Sequence, residues 1–430
     1  MVSAVSKPAT GHVRWLIVFL TFAIAAVAYL DRANISIAAP FIKRDFALNN
    51  YQLGFVFSAF VFGYALAQPF AGRLADRFGA FRTIAVGICL WCVLTAATAL
   101  IPADFAQAFA VLLLVRLALG LGESMIFPAS NRLVSNWIPS AERGLANGII
   151  FAGVGIGAGL APPLITTIMI DFNWRYAFWA SAVIGVAALA VWLLLADETP
   201  RAHRWVKPAE LSLIQAGLPR KSETAARAVL PWGAIILNRQ IALLTLSYTC
   251  FGYVAYIFFT WFFTYLSTVR SLDLRASGIY GMLPFIAMAI ASPLGGWVSD
   301  GLAARFGKRI GRCLLAALTM TLAAGFLVLA MSVDDARLAA VVLAGGSGAL
   351  YLAQSAFWTL SADMGRASAG SVSGVMNMGC QLGGALVAVA TPVIADRWGW
   401  SSPFLFTAAV SLLGALAWLL IDPGFRFEET

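Results

Sequence analysis

Apolar runs recur along the whole chain, at residues 14–39, 51–72, 83–102, 105–127, 144–169, 175–196, 240–268, 276–299, 312–332, 337–359, 369–395 and 400–421. A helix of about 20 residues rising 1.5 Å per residue spans the roughly 30 Å hydrocarbon core of a bilayer, and each run is long enough. The pattern predicts an all-α membrane protein with twelve transmembrane helices. The breaks are short except for Asp197–Asn238, which holds Arg201, His203, Arg204, Lys207, Arg220, Lys221 and Arg227. That break divides the chain into six spans at 1–196, a central loop at 197–238 and six more at 239–430. The first run is too long for a signal-peptide core and shows no clear cleavage site, so it reads as a retained first span.

The halves resemble each other. Gly148, Gly157, Trp174 and Phe178 recur as Gly374, Gly383, Trp400 and Phe404, each 226 residues further on. Two pseudo-symmetric six-helix bundles are therefore expected, with a binding site between them, since duplicated units are a recurring transporter architecture. The Gly-rich stretches Gly153–Gly159 and Gly345–Gly348 lie inside apolar runs, where small residues let helices approach closely.

Of the 430 residues 61% are hydrophobic and 11% charged, against about 25% charged in soluble domains. The formal charge of +9 does not point to nucleic acid. With a cytoplasmic N-terminus, 20 of the 29 Lys and Arg fall on the inner side, 7 outside and 2 within spans, which satisfies the positive-inside rule. The expected location is the inner cell membrane, with both termini cytoplasmic. The five cysteines lie in or beside apolar runs, and Cys89-Leu-Trp-Cys92 has no second pair or histidine to complete a metal site. His12 and His203 are the only histidines and lie outside the spans. No metal cluster and no nucleophile paired with a base is visible, so an enzyme is not expected.

Asp31, Arg32, Arg116 and Glu123 break the apolar pattern. A charge at the bilayer centre costs about 2.5–3.5 kcal/mol on insertion scales and normally marks a substrate or ion route. Asp31 lies about 25 Å along its helix from Arg14, in the outer third of the span. Neighbouring helix residues point about 100° apart, so Asp31 and Arg32 meet separate partners or one of them faces a cavity. Arg116 and Glu123 are two turns apart and share a face, Arg116 near mid-span and Glu123 nearer the cytoplasmic end. The alternatives are a pair snorkelling to the surface and a structural brace. Proton relays use Asp, Glu or His. Of twenty Asp and Glu, only Asp31 and Glu123 fall well inside the spans.

After the second span comes Gly72-Arg-Leu-Ala-Asp76-Arg77-Phe-Gly79-Ala-Phe-Arg82, with a looser echo from Gly296 through Asp300 to Arg309. Asp76 is placed to cap a neighbouring helix or pair with an Arg, which would latch one side closed; a plain charged turn is the alternative. The stretch resembles the signature loop of the major facilitator superfamily. Tyr29-Leu-Asp31-Arg32-Ala-Asn34, Val56 to Tyr64, Arg116-Leu-Ala-Leu-Gly120-Leu-Gly-Glu123, Glu142-Arg143-Gly144 and Ala161-Pro162-Pro163 are similar to its anion:cation symporter family, which includes galactonate, hexuronate and glucarate permeases.

The resemblance implies proton-coupled symport of a small organic anion, a sugar acid or other carboxylate, by alternating access. It implies that Arg32 holds the substrate carboxylate, to which a guanidinium fork donates two parallel hydrogen bonds. Asp31 and Glu123 would carry protons, Arg116 would organise Glu123 or touch substrate, and Tyr29, Tyr64 and Asn377 would face the cavity. Tyr256, Gln354 and Trp358, with Trp261 and Ser361, are further candidate liners. Gly72, Asp76, Arg77, Gly79, Arg82 and Asp300 would form the gate. An anion reaching Arg32 would weaken its hold on Asp31 and favour proton uptake there. Where galactonate-type members carry Gln, this chain has Gly153-Val154-Gly155, which implies a smaller, less hydroxylated or more apolar anion.

The expected partners are a small carboxylate, protons and the lipid bilayer, in a protein that functions as a monomer, with no nucleic acid. No cofactor is expected, the energy coming from the transmembrane proton gradient. The rivals are a proton-driven exporter of amphipathic compounds, against which Arg32 argues, and a membrane-embedded enzyme. A sensor would need a sizeable soluble output domain.

Overall fold

In the bilayer every backbone polar group must be satisfied within its own segment, which restricts crossings of this composition to helices. The computed structural model describes residues 12–48, 50–217, 230–262, 265–272 and 274–425. Helices α1 to α7 run Val13–Asp45, Asn50–Phe78, Ala80–Leu100, Ala108–Glu123, Ile126–Trp137, Arg143–Asp171 and Trp174–Leu195. The short α8 (Pro208–Gly217) and α9 (Trp232–Ile236) follow. Helices α10 to α16 are Arg239–Thr260, Leu274–Phe306, Leu315–Met331, Ala336–Leu352, Gln354–Gly365, Ala369–Trp398 and Ser401–Leu420. The central segment is described up to Gly217 and from Leu230; Arg220, Lys221 and Arg227 lie outside the described residues.

Ten helical stretches are long and apolar enough to cross a membrane, and one of them, Ala336–Trp398, is 63 residues long and folds back as two crossings. With α2 there are twelve crossings among the described residues, arranged as two six-helix bundles. Large apolar side chains such as Phe62, Phe70, Val93, Leu194, Leu318 and Val389 point outward, as a lipid-facing surface requires.

Two spans end later than the apolar pattern suggests. The fourth continues through α4 and α5 to Trp137 rather than stopping near 127, and the tenth continues through α14 to Gly365 rather than 359. Asn131, Ser361 and Asp363 lie beyond the ends of the expected spans, yet they are buried between the halves and hydrogen-bonded across them. The α1 end of the bundle that also carries the end of α16 is called the terminal face below.

Glycines set the helix crossings. A Cβ at Gly157 would come within 2.1 Å of the Ala26 carbonyl oxygen on α1, and one at Gly148 within 2.3 Å of the Ser292 carbonyl oxygen on α11. Around Gly159, in the same helix, there is nothing within 4 Å. Gly157→Val is therefore expected to cost about 3 kcal/mol or more, since overpacked backbone has to move. Gly159→Ala should be neutral or slightly stabilising. Thermal melting of the two purified variants in detergent compares them directly; equal melting temperatures would contradict the packing argument.

Candidate functional site

The four charged residues of the first half converge. Arg32 on α1 donates through Nη2 to Glu123 Oε2 at 2.9 Å, and the glutamate is 1% exposed while the arginine side chain keeps 17%. Glu123 closes α4, but it is the sixteenth residue of a thirty-residue apolar segment, so it stands level with Arg32 instead of nearer the terminal face. The guanidinium of Arg32 lies between the rings of Tyr29 and Tyr64, 4.5 Å from each centroid and 5.0 Å from that of Phe60. Stacking over aromatic faces stabilises a desolvated cation by about 2 kcal/mol.

Asp31 turns the other way. Its Oδ2 accepts from the Thr95 hydroxyl at 2.9 Å, while Oδ1 has no protein partner. Asp31 and Arg32 thus meet separate partners, and the carboxylate that Arg32 holds is Glu123. The scheme in which an arriving anion loosens Arg32 from Asp31 is corrected accordingly. Arg116 is buried with its guanidinium over Phe60 at 4.8 Å. Among the described residues it makes no ion pair with Glu123, because Arg32 already occupies that carboxylate. None of Asp31, Arg32, Arg116 and Glu123 lines the cavity between the halves; Arg32 reaches its wall through the rings of Tyr29 and Tyr64.

One cavity lies between the halves at this level. Tyr29, Tyr64, Phe127, Phe151 and Val154 line it from the first half, and Tyr248, Tyr256, Phe259, Tyr351, Gln354, Asn377, Cys380 and Gln381 from the second. Tyr29, Tyr64, Tyr256, Gln354 and Asn377 therefore stand where the sequence reading put them. Asn377 Nδ2 donates to Gln68 Oε1 across the halves at 3.1 Å. Trp358 does not line the cavity. It packs against Phe127 and Phe151, and its indole N–H donates to the Tyr248 hydroxyl at 2.8 Å. Val154 fills the wall with a branched apolar side chain, while Gly153 and Gly155 press against the Phe22 and Phe285 carbonyl oxygens.

At the terminal face each half offers a carboxylate to a helix N-terminus of the other. Asp76 accepts from the backbone N–H groups of Gly370 (3.0 Å) and Ser371 (2.7 Å) and from the Ser371 hydroxyl (2.7 Å) at the start of α15. Asp300 accepts from Gly144 (3.0 Å) and Leu145 (2.8 Å) at the start of α6, and from Arg312. An anion is stabilised there by unpaired N–H groups and the helix dipole. Gly72 permits the contact, since a Cβ would fall 2.0 Å from the Gly370 carbonyl oxygen.

Arg77, Gly79 and Arg82 take no part in this contact. Arg77 and Arg82 are exposed, and Gly79, at φ +99°, makes the turn into α3 that Glu198 caps through the N–H groups of Ala80 and Phe81. The cation beside Asp76 is Arg132, at 3.7 Å, which also donates to the Arg366 carbonyl. Arg143, bonded to Asp363 at 2.6 Å, and Asn131, bonded to Ser361 at 3.0 Å, complete the closure. Of these residues only Arg143 and Ser361 carried a sequence signal; Arg132, Tyr248 and Gln381 carried none.

Two six-helix bundles joined around a cavity with a buried Arg–Glu pair behind its wall define a membrane transporter. The chain belongs to the major facilitator superfamily, whose model matches residues 21–388. Among curated proteins it is 34% identical over 406 residues to a probable sulfoacetate transporter, SauU, of Cupriavidus necator, covering 92% of this chain and 91% of that protein. It is 28% identical to the hexuronate transporter of Bacillus subtilis, covering 93% of both, and 30% identical to the chloroplastic ascorbate transporter of Arabidopsis thaliana, covering 97% and 76%. Among solved structures, the proton:xylose symporter XylE bound to 6-bromo-6-deoxy-D-glucose superposes with a TM-score of 0.69 at 16% identity over 94% of each chain. That likeness shows the fold.

Proposed function

We propose that this protein is a proton-coupled symporter of a small organic anion, working by alternating access in the cell membrane with its terminal face in the cytoplasm. The observation that carries this reading is the buried Arg32–Glu123 pair at 2.9 Å, packed behind Tyr29 and Tyr64 of the cavity wall. One guanidinium cannot neutralise both Glu123 and an arriving anion. Two negative charges on one cation in a low-dielectric site are unfavourable, and a proton taken up by Glu123 removes the excess. Anion and proton then enter together. Asp31, buried with an unpaired oxygen, is the second proton carrier. The relatives named for sulfoacetate and hexuronate support an anionic substrate. The transmembrane proton gradient supplies the energy, and one chain contains the whole site.

Proteoliposome uptake tests the reading. Labelled sugar acids, short dicarboxylates, sulfoacetate and aromatic acids are offered under an inward proton gradient. At least one anion should accumulate above its outside concentration, and a protonophore should abolish the excess. Accumulation that follows sodium and ignores the proton gradient would overturn proton coupling. Transport of amphipathic cations with no anion carried would favour the exporter.

A further inference from the structure

We infer that the second half of the chain holds a neutral anion subsite centred on Tyr248, so that the preferred substrate is a short anion with two acidic groups. One group would lie on Arg32 and the other on hydrogen-bond donors of α10, α13 and α15. The inference rests on the proposed function and names the substrate class of that same cavity.

Tyr248 is buried, and its hydroxyl oxygen accepts two hydrogen bonds, from Gln354 Nε2 and Trp358 Nε1, both at 2.8 Å. A phenol oxygen has two acceptor lone pairs and one hydrogen. Both lone pairs are taken, and an indole N–H can only donate. The Tyr248 hydrogen therefore turns away from both partners, on a residue that lines the cavity. Its neighbour there is the Cys380 thiol, a weak acceptor. In this orientation Gln354 Oε1 is buried without a partner; reversing the amide lets that oxygen accept from Tyr248 and passes the surplus donor to the NH2 group rather than removing it. Two incoming N–H bonds also polarise the hydroxyl and strengthen it as a donor.

Gln381 is arranged by the same logic. Tyr256 donates its hydroxyl to Gln381 Oε1 at 2.6 Å, which leaves the NH2 end without a protein acceptor among the described residues. Gln381 and Tyr351 both line the cavity. This wall holds hydroxyl and amide donors without Lys, Arg, Asp or Glu. A carboxylate or sulfonate accepts only, so it matches a surplus of donors. Val154 and the rings of Phe127, Phe151 and Phe259 also line the cavity, and against them a polyhydroxylated chain would leave hydroxyls unpaired. Short length and few hydroxyls follow.

The test uses reconstituted full-length protein and four probes: malonate and sulfoacetate with two acidic groups, propionate with one, and galactonate with one and many hydroxyls. The wild type should show a half-saturation at least tenfold lower for malonate or sulfoacetate than for propionate or galactonate. Gln381→Leu leaves the Tyr248 cluster intact and should raise the two-headed half-saturation several-fold, with propionate changed less than twofold. Tyr248→Phe should raise it about tenfold or more, as loss of a hydrogen bond to a charged group does. Because Tyr248→Phe also strips an acceptor from two buried N–H groups, its melting temperature is measured alongside. Equal losses for all probes, or none in either folded variant, would overturn the subsite. A wild type that carries propionate or galactonate best also overturns it, while leaving anion transport standing. A wild type that carries none of the anions overturns both.

Discussion

Arg32→Ala is expected to lower uptake of any organic anion by about 10²–10³-fold. A guanidinium holding a carboxylate donates two charge-assisted hydrogen bonds worth roughly 1.5–3 kcal/mol each, and losing both removes about 3–6 kcal/mol, of which the lower part gives the stated loss. The same substitution leaves Glu123 buried without its cation, which alone destabilises by about 3–5 kcal/mol, so the variant needs a companion. Glu123→Gln keeps the shape of the side chain and still accepts from Arg32 Nη2 at the observed 2.9 Å. It should retain anion exchange between the two sides of a proteoliposome within several-fold and lose accumulation driven by the proton gradient. That split separates binding from coupling. Full proton-driven accumulation by Glu123→Gln would leave Asp31 as the sole carrier, and the same result in the double variant with Asp31→Asn would end the proton scheme.

Asp76→Ala combined with Asp300→Ala should open the terminal face. Each aspartate joins its half to a helix N-terminus of the other. Loss of a helix cap costs about 0.5–2 kcal/mol, and the buried Arg312 left without its carboxylate adds to this. A combined shift of about 3 kcal/mol changes the ratio of closed to open forms by more than a hundredfold. The two contacts lie on different helices and share no partner, so their effects should add. The readout is the rate at which a thiol reagent labels Asn131→Cys, a position buried between the halves and bonded to Ser361 at 3.0 Å. Labelling should accelerate at least tenfold in the double aspartate variant; an unchanged rate would show that the aspartates fix the helix ends without latching the face. Asn131→Cys with Ser361→Cys should form a disulfide that arrests transport until it is reduced.

Much of this was legible in the residues themselves. Apolar runs of membrane-spanning length fix the element type, because in lipid the backbone has no alternative partner. The repeat at 226 residues has a counterpart in the structure: Asp300 and Asp76 accept from the N–H groups of Gly144 and Gly370, each the second residue of its helix and the same distance apart. The sequence also marked Asp31, Arg32, Arg116 and Glu123, since charge in an apolar run is costly enough to be informative.

Their pairing was decided in three dimensions. Helical spacing put Arg116 and Glu123 on one face, yet Glu123 is bonded to Arg32, 91 residues away, because the long Arg32 side chain reaches from α1 to the end of α4. No local pattern states which helices are neighbours. Span ends were misread for a related reason: polar residues of α5 and α14 resemble a loop until the opposite half supplies Ser361 for Asn131 and Arg143 for Asp363. The Tyr248 cluster belongs to the same class. A tyrosine in an apolar run looks like packing, and the two N–H groups that occupy its oxygen come from residues more than a hundred positions away. Local periodicity and the cost of buried charge thus determined the fold class and the four charged positions. Which group bonds to which, and so where a proton and an anion would meet, was decided only when the packed helices brought distant polar groups within hydrogen-bonding distance.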